Sequence, residues 1–348
     1  MLSPLFSHLL IPFLVAMFLA INMGGSGTSP SFASAFGAQL IRRGRIPGLF
    51  GLMVFLGAII AGKETALTIG KGIISPESMT LTITTCILFT VALTLLMANL
   101  LGIPQSTSQT TVFAISGAAL YFGKLNTHKV FLEIIPTWFI LPVISFIIML
   151  LVGKSIYNPI RKSKYIDYDK LSQHPVLKFL VIISSMYVAF SIGANNVANA
   201  SGPIASMVLN ELELEPEGKN FILIILLSTL IIAPNFGIGS SIFGYKILKT
   251  TGKEIVTFGP VGATAVSFLT ATLLLLASVF KGIPTSLVQL NTGAILALGV
   301  TKLGWKETFS KSTVKKFWIV WIIAPVIALI MSYFMIFLAD KMDILYFE

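Results

Sequence analysis

The sequence predicts an all-α polytopic membrane protein: two inverted-topology repeats of about five spans each, with broken or re-entrant helices. Three observations carry that prediction. The 348 residues are 55% hydrophobic and 11% charged, with a mean hydropathy of +0.90, whereas a soluble domain carries about 25% charged residues. The apolar runs approach or exceed the ~20 residues that a membrane helix needs. One set of motifs occurs twice, at nearly constant offset.

The runs fall near 4–22 (continuing brokenly to 41), 48–62, 79–101, 106–123 and 130–152, and again near 175–209, 219–242, 262–280, 285–301 and 317–339. That makes ten spans, some of them candidates for re-entrant segments. Residues 1–22 lack the basic start of a secretory signal and run on into a motif, so they count as the first span. The net charge of +10 comes from Lys and Arg in short loops, where it sets topology and gives no reason to expect nucleic acid. Placing Arg42, Arg43 and Arg45, the basic residues of 153–174, Lys246–Lys253 and Lys302–Lys316 inside puts both termini outside. Lys124 and Lys129 depart mildly from that pattern. The expected division is a first repeat over 1–152, a basic cytoplasmic linker over 153–174 and a second repeat over 175–348. The single cysteine, Cys86, excludes a disulfide framework, and no spacing suggests zinc, haem or another cofactor.

The repeat is read from three matches. Gly102–Gln109 (GIPQSTSQ) answers Gly282–Gln289 (GIPTSLVQ) at an offset of 282−102 = 180. Gly70-Lys71 answers Gly252-Lys253 (252−70 = 182), and Asn22–Gly27 sits where Ser191–Asn196 sits (193−24 = 169). Five spans per half is odd, so the halves insert in opposite senses, an arrangement used by transporters with a site near the midplane.

Each half supplies two interruptions. Ser29-Pro30 and Gly202-Pro203 read as helix starts. Ser106-x-x-Gln109 and Ser286-x-x-Gln289 match capping boxes after a Gly-x-Pro break. Four converging helix N-termini would present free N–H groups and positive dipole ends to an anion. Small residues at this spacing also serve helix packing, and a capping box can simply cap. Four motifs in two halves favour a binding site.

These residues resemble the inorganic phosphate transporter (PiT) family, through Gly193–Ala200 (GANNVANA), the Pro-x-Ser-x-x-Gln segments and Lys249–Lys253. The resemblance covers nearly the whole chain and implies an oxyanion carrier with two inverted halves around a central site. The family signature is GANDVANA. Here Asn196 stands at the Asp position of the second half, and Gly27 at that of the first. That departure resembles the bacterial sulfate permease branch of the CysP type.

Chemistry points the same way. Phosphate near neutral pH carries an O–H that suits a carboxylate acceptor, whereas sulfate only accepts hydrogen bonds. A carboxylate beside sulfate would repel it and leave a buried acceptor unpaired, at a cost of about 1–3 kcal/mol or more. The expected function is therefore sulfate import by proton symport with alternating access, in the bacterial inner (cell) membrane. A sodium- or proton-coupled phosphate symporter is the first alternative, and a passive anion channel or a non-transporting sensor the alternative of another class. No nucleophile–base pair or metal cluster suggests an enzyme. Substrate contacts are expected from Ser26, Gly27, Thr28, Ser106, Thr107, Ser108, Gln109, Asn195, Asn196, Ser286 and Gln289. Gly24, Pro104, Gly193 and Pro284 are expected to keep the backbone open. Moving a dianion inward against an inside-negative potential costs about 2 × 2.3 kcal/mol per 100 mV. Glu64 is the candidate proton carrier, with a local ion pair to Lys63 or Lys71 as its alternative role. Sodium is the less favoured ion, because the signature carboxylates are gone. The partners are then an oxyanion, a proton and the lipid bilayer, with monomer and homodimer both open.

Overall fold

The structure, a computed structural model, describes residues 4–101, 105–165, 167–215, 219–246, 248, 259–310 and 312–345. Among these there is no strand. The helices are α1 (Pro4–Gly37), α2 (Ile46–Ala61), α3 (Lys63–Leu67, continuing as a π-helix over Thr68–Gly72), α4 (Leu81–Leu101), α5 (Thr107–Tyr121) and α6 (Ile135–Val152). Two short helices, α7 (Asn158–Lys162) and α8 (Tyr168–Gln173), occupy the expected linker. Then come α9 (Pro175–Asn196), α10 (Ala198–Glu211), α11 (Lys219–Ile232), α12 (Asn235–Gly239, continuing as a π-helix over Ser240–Gly244), α13 (Gly259–Lys281), α14 (Leu287–Leu303), α15 (Trp305–Ser310) and α16 (Ser312–Lys341). The segments 102–104 and 249–258 lie outside the described residues, and with them Pro104 and the Lys249–Lys253 match.

Eight helical stretches among the described residues are long and apolar enough to cross a membrane. Of the ten apolar runs, those at 106–123 and 285–301 are the two that fall short of a span, in keeping with the re-entrant alternative. There α5 and α14 have 15 and 17 residues, about 22 and 26 Å at 1.5 Å per residue, short of the ~30 Å hydrocarbon core. Their first residues, and the Ser106 and Ser286 caps before them, are buried. The chain thus starts two helices inside the protein, where N–H groups need partners.

α1 and α9 form the centre. α1 packs on α4, α9 and α12, and α9 packs on α2 and α13. Outside this pair, α5 packs on α16, and α14 packs on α6. Large apolar residues such as Phe139, Ile60 and Phe280 point outward, which suits lipid, while hydroxyls and amides collect inside.

Glycine sets the closeness of the central helices, in one arrangement that occurs twice. A Cβ at Gly193 would lie 2.1 Å from the Val54 carbonyl oxygen, and one at Gly57 would lie 1.9 Å from that of Phe190. A Cβ at Gly24 would lie 2.2 Å from the Phe236 carbonyl oxygen, and one at Gly239 would lie 1.8 Å from that of Ile21. The two sets are related by the offsets 193−24 = 190−21 = 169 and 236−54 = 239−57 = 182. Gly24 and Gly193 therefore do not open the backbone; both sit in unbroken helix and let a neighbouring backbone approach. Overpacking of this kind costs about 1–3 kcal/mol or more. Gly193→Ala is expected to lower the thermal denaturation midpoint of the purified protein in detergent, and an unchanged midpoint would refute the close approach.

Candidate functional site

The interruptions arise where helix geometry cannot continue. At Ser106 and Ser286 the backbone is extended, and each hydroxyl accepts from the N–H three residues on, Gln109 N and Gln289 N at 3.3 Å. The expected caps are thus formed. Their reciprocal halves are not, since Gln109 Oε1 and Gln289 Oε1 are buried without a partner. Gly282, before the second cap, has φ +60°, and a Cβ there would lie 2.6 Å from the Glu64 carbonyl oxygen. Both facts require glycine. Trp138 Nε1 donates to Pro284 O at 2.8 Å and fixes the loop.

The other two interruptions differ from expectation. α1 runs unbroken through Pro30, and Pro203 lies inside α10. The break in the second half falls at Val197, between α9 and α10. Two helix N-termini, those of α5 and α14, line a common cleft, in place of the four expected.

That cleft holds about 310 Å³ of free space, open mouth included. α1 contributes Ser26, Gly27 and Pro30; the start of α5 contributes Gln105, Ser106 and Thr107. α9 contributes Ile192 and Asn196, and the start of α14 contributes Thr285, Ser286, Leu287 and Val288. None of these residues is ionisable. Each cap serves the third N–H of its helix, so the first two remain for a ligand. This explains why apolar Leu287 and Val288 line a polar cleft: what they offer an anion is the amide N–H.

Asn195 is the knot behind the cleft, fully buried. The fixed N–H and C=O of Thr285 decide its amide orientation: its oxygen accepts from Thr285 N at 3.1 Å, and its nitrogen donates to Thr285 O at 2.9 Å. In that orientation the nitrogen also lies 3.0 Å from Asn196 Oδ1 and 2.9 Å from Ser108 Oγ, and the oxygen 2.9 Å from Ser278 Oγ. Asn195 therefore ties α9 to both capped loops and does not line the cleft. After Thr285 O takes one hydrogen, Asn195 has one left for Ser108 Oγ or Asn196 Oδ1. The Asn196 amide lies in the cleft lining, where its NH₂ is a donor available to an anion.

Of the expected contacts, Ser26, Gly27, Ser106, Thr107, Asn196 and Ser286 line the cleft. Ser108 supports Asn195 from behind. Gln289 lines an apolar cavity beside Trp138 and Trp321, and Gln109 is buried outside the cleft lining. Thr28 lines a different pocket on another face of α1, and its hydroxyl donates to Gly24 O at 2.7 Å. Glu64 lies outside the cleft lining, half-exposed, 3.6 Å from Lys63 Nζ. Gln105 and Thr285 were missed as contacts. Their signal is positional, each standing between the proline and the capping serine of its repeat.

The family model described as the phosphate transporter family matches residues 23–332. The chain belongs to the phosphate transporter family. This family member is 32% identical over 331 residues to the sulfate permease CysP of Bacillus subtilis, covering 95% of this chain and 88% of that one. A solved structure titled "The sodium-dependent phosphate transporter" superposes with a TM-score of 0.83 at 23% identity, over 96% of this chain and 99% of that one, which establishes the shared fold. The chain is accordingly a multi-pass membrane anion transporter and not an enzyme.

Proposed function

We propose that this transporter imports sulfate by proton symport, through alternating access of the cleft. The observation that carries the reading is the cleft lining itself. It offers hydroxyls, the Asn196 and Gln105 amides and the amide N–H groups of two helix N-termini, with no carboxylate among its described residues. An aprotic dianion needs donors only, and helix N-termini add favourable dipole ends. Similarity to a protein named a sulfate permease supports the same choice. The paired glycine contacts, and the matching pairs of α5 with α16 and α14 with α6, support two inverted repeats, 1–152 and 175–348, joined by the linker 153–174. The location is the bacterial inner membrane, with both termini outside. Glu64 serves as the proton carrier; its main chain lies against Gly282, four residues before Ser286.

One observation favours phosphate as the second reading. Pro30 has no N–H, so the Ser26 carbonyl loses its regular helical donor beside the cleft. That oxygen offers an acceptor to a phosphate O–H. Uptake of labelled sulfate and phosphate into proteoliposomes, under imposed proton and sodium gradients, separates the readings. The expected result is uphill sulfate accumulation driven by the proton gradient. Phosphate uptake indifferent to excess sulfate would sink the sulfate reading, and non-saturating flux without accumulation would make the protein a channel.

A further inference from the structure

Gly27 faces the cleft, while its neighbour Thr28 faces a second pocket on another side of α1, with about 530 Å³ of free space, open mouth included, against about 310 Å³ for the cleft. The second pocket is also lined by Arg43, from the turn before α2, by Ser240 and Ser241, from the π-helix after α12, and by Tyr245. We infer that it is a second binding site for a tetrahedral oxyanion, separate from the cleft. The inference rests on the chain's being an oxyanion carrier, but not on which oxyanion it carries.

Three features make this more than a basic loop over a dent. First, Arg43 Cζ lies 3.5 Å over the Tyr245 ring centroid. Stacking uses the face of the guanidinium and leaves its N–H fork free at the edge, the geometry that matches an oxyanion. Arg42 and Arg45, in the same basic cluster, do not line the pocket. Second, Ser240 is 3% exposed and its Oγ is buried without a partner. A buried hydroxyl left unbonded is a cost that a bound acceptor would remove. It sits on a π-helical turn, an irregularity often found at functional sites. Third, no acid is among the described residues that line the pocket, so from these residues a bound anion meets the Arg43 cation and hydroxyl groups with no opposing charge.

The ligand chemistry is shared by free substrate and by a phospholipid headgroup. Free substrate is the assignment, because the pocket and the cleft adjoin consecutive residues of one helix. The test is equilibrium binding of radiolabelled sulfate, and separately phosphate, to the purified full-length protein in a non-ionic detergent. The carried anion is expected to bind at two sites per chain. Arg43→Gln should weaken one of them by about tenfold or more, the loss of one charge-assisted contact, with Arg43→Lys intermediate. Ser240→Ala should weaken the same site without lowering thermal stability, since its hydroxyl has no protein partner to lose. One site per chain in wild type and Arg43→Gln alike would overturn the proposal. So would a second site that takes up added phosphatidylglycerol in wild type, loses it in Arg43→Gln, and never binds the free anion. Two sites for phosphate and none for sulfate would refute the sulfate reading and leave this site standing.

Discussion

Asn196→Asp is expected to abolish sulfate uptake while sparing the fold. Asn196 lines the cleft, and its oxygen lies 3.0 Å from the Asn195 nitrogen. In the aspartate variant one carboxylate oxygen keeps that contact, and the other replaces the Asn196 NH₂, one of two side-chain amides in the cleft lining, the second being that of Gln105. Two like unit charges 4 Å apart repel by about 4 kcal/mol at an effective dielectric near 20, which is on the order of a thousandfold in affinity. A dianion suffers more. A phosphate bearing a proton can donate to the new carboxylate, so its loss should be smaller, and the sulfate-to-phosphate ratio should fall steeply. Uptake of both anions by the variant in proteoliposomes reads this ratio. Retained sulfate uptake would remove Asn196 from the substrate shell.

Asn195→Leu should be the most damaging single change at the site, and for a different reason. Leucine leaves the N–H and C=O of Thr285 without their partner, together with the Ser108 and Ser278 hydroxyls that face the amide. Each buried unpaired group costs about 1–3 kcal/mol, so the two backbone groups alone amount to about 2–6 kcal/mol. The loop that forms the second cap would lose its anchor to α9, and transport would go with it. Ser108→Ala removes one contact of the same knot and should cost about 1 kcal/mol. Thermal denaturation in detergent, run beside uptake, checks both. Wild-type stability in Asn195→Leu would mean that the knot does not hold the loops.

Much of this was legible in the sequence. Hydropathy alone marks a membrane protein, because few soluble folds tolerate 11% charged residues. The caps at Ser106 and Ser286 were readable because capping is local: a hydroxyl three residues before its N–H forms the same bond wherever the helix lies. The helix starts at Pro30 and Pro203 were misread for the complementary reason. A proline costs an exposed helix interior about 3 kcal/mol, but α1 is clasped by α4, α9 and α12, and that packing keeps the helix intact around Pro30. The short reach of α5 and α14 was hidden by apolar runs that continue past the point where each helix can begin.

The sequence by itself determined the class, the doubled motifs and the kind of chemistry, a donor-rich and carboxylate-free signature. Only the tertiary structure decided which residue of each motif meets the ligand. Consecutive residues on a helix project about 100° apart, so a motif string always mixes residues that face the cleft with residues that support it. Gly27 and Thr28 face different pockets, and Asn196 faces the cleft that Asn195 holds together. The side of a helix that becomes a site is set by what packs on its other sides, and for α1 and α9 those are helices distant in the chain.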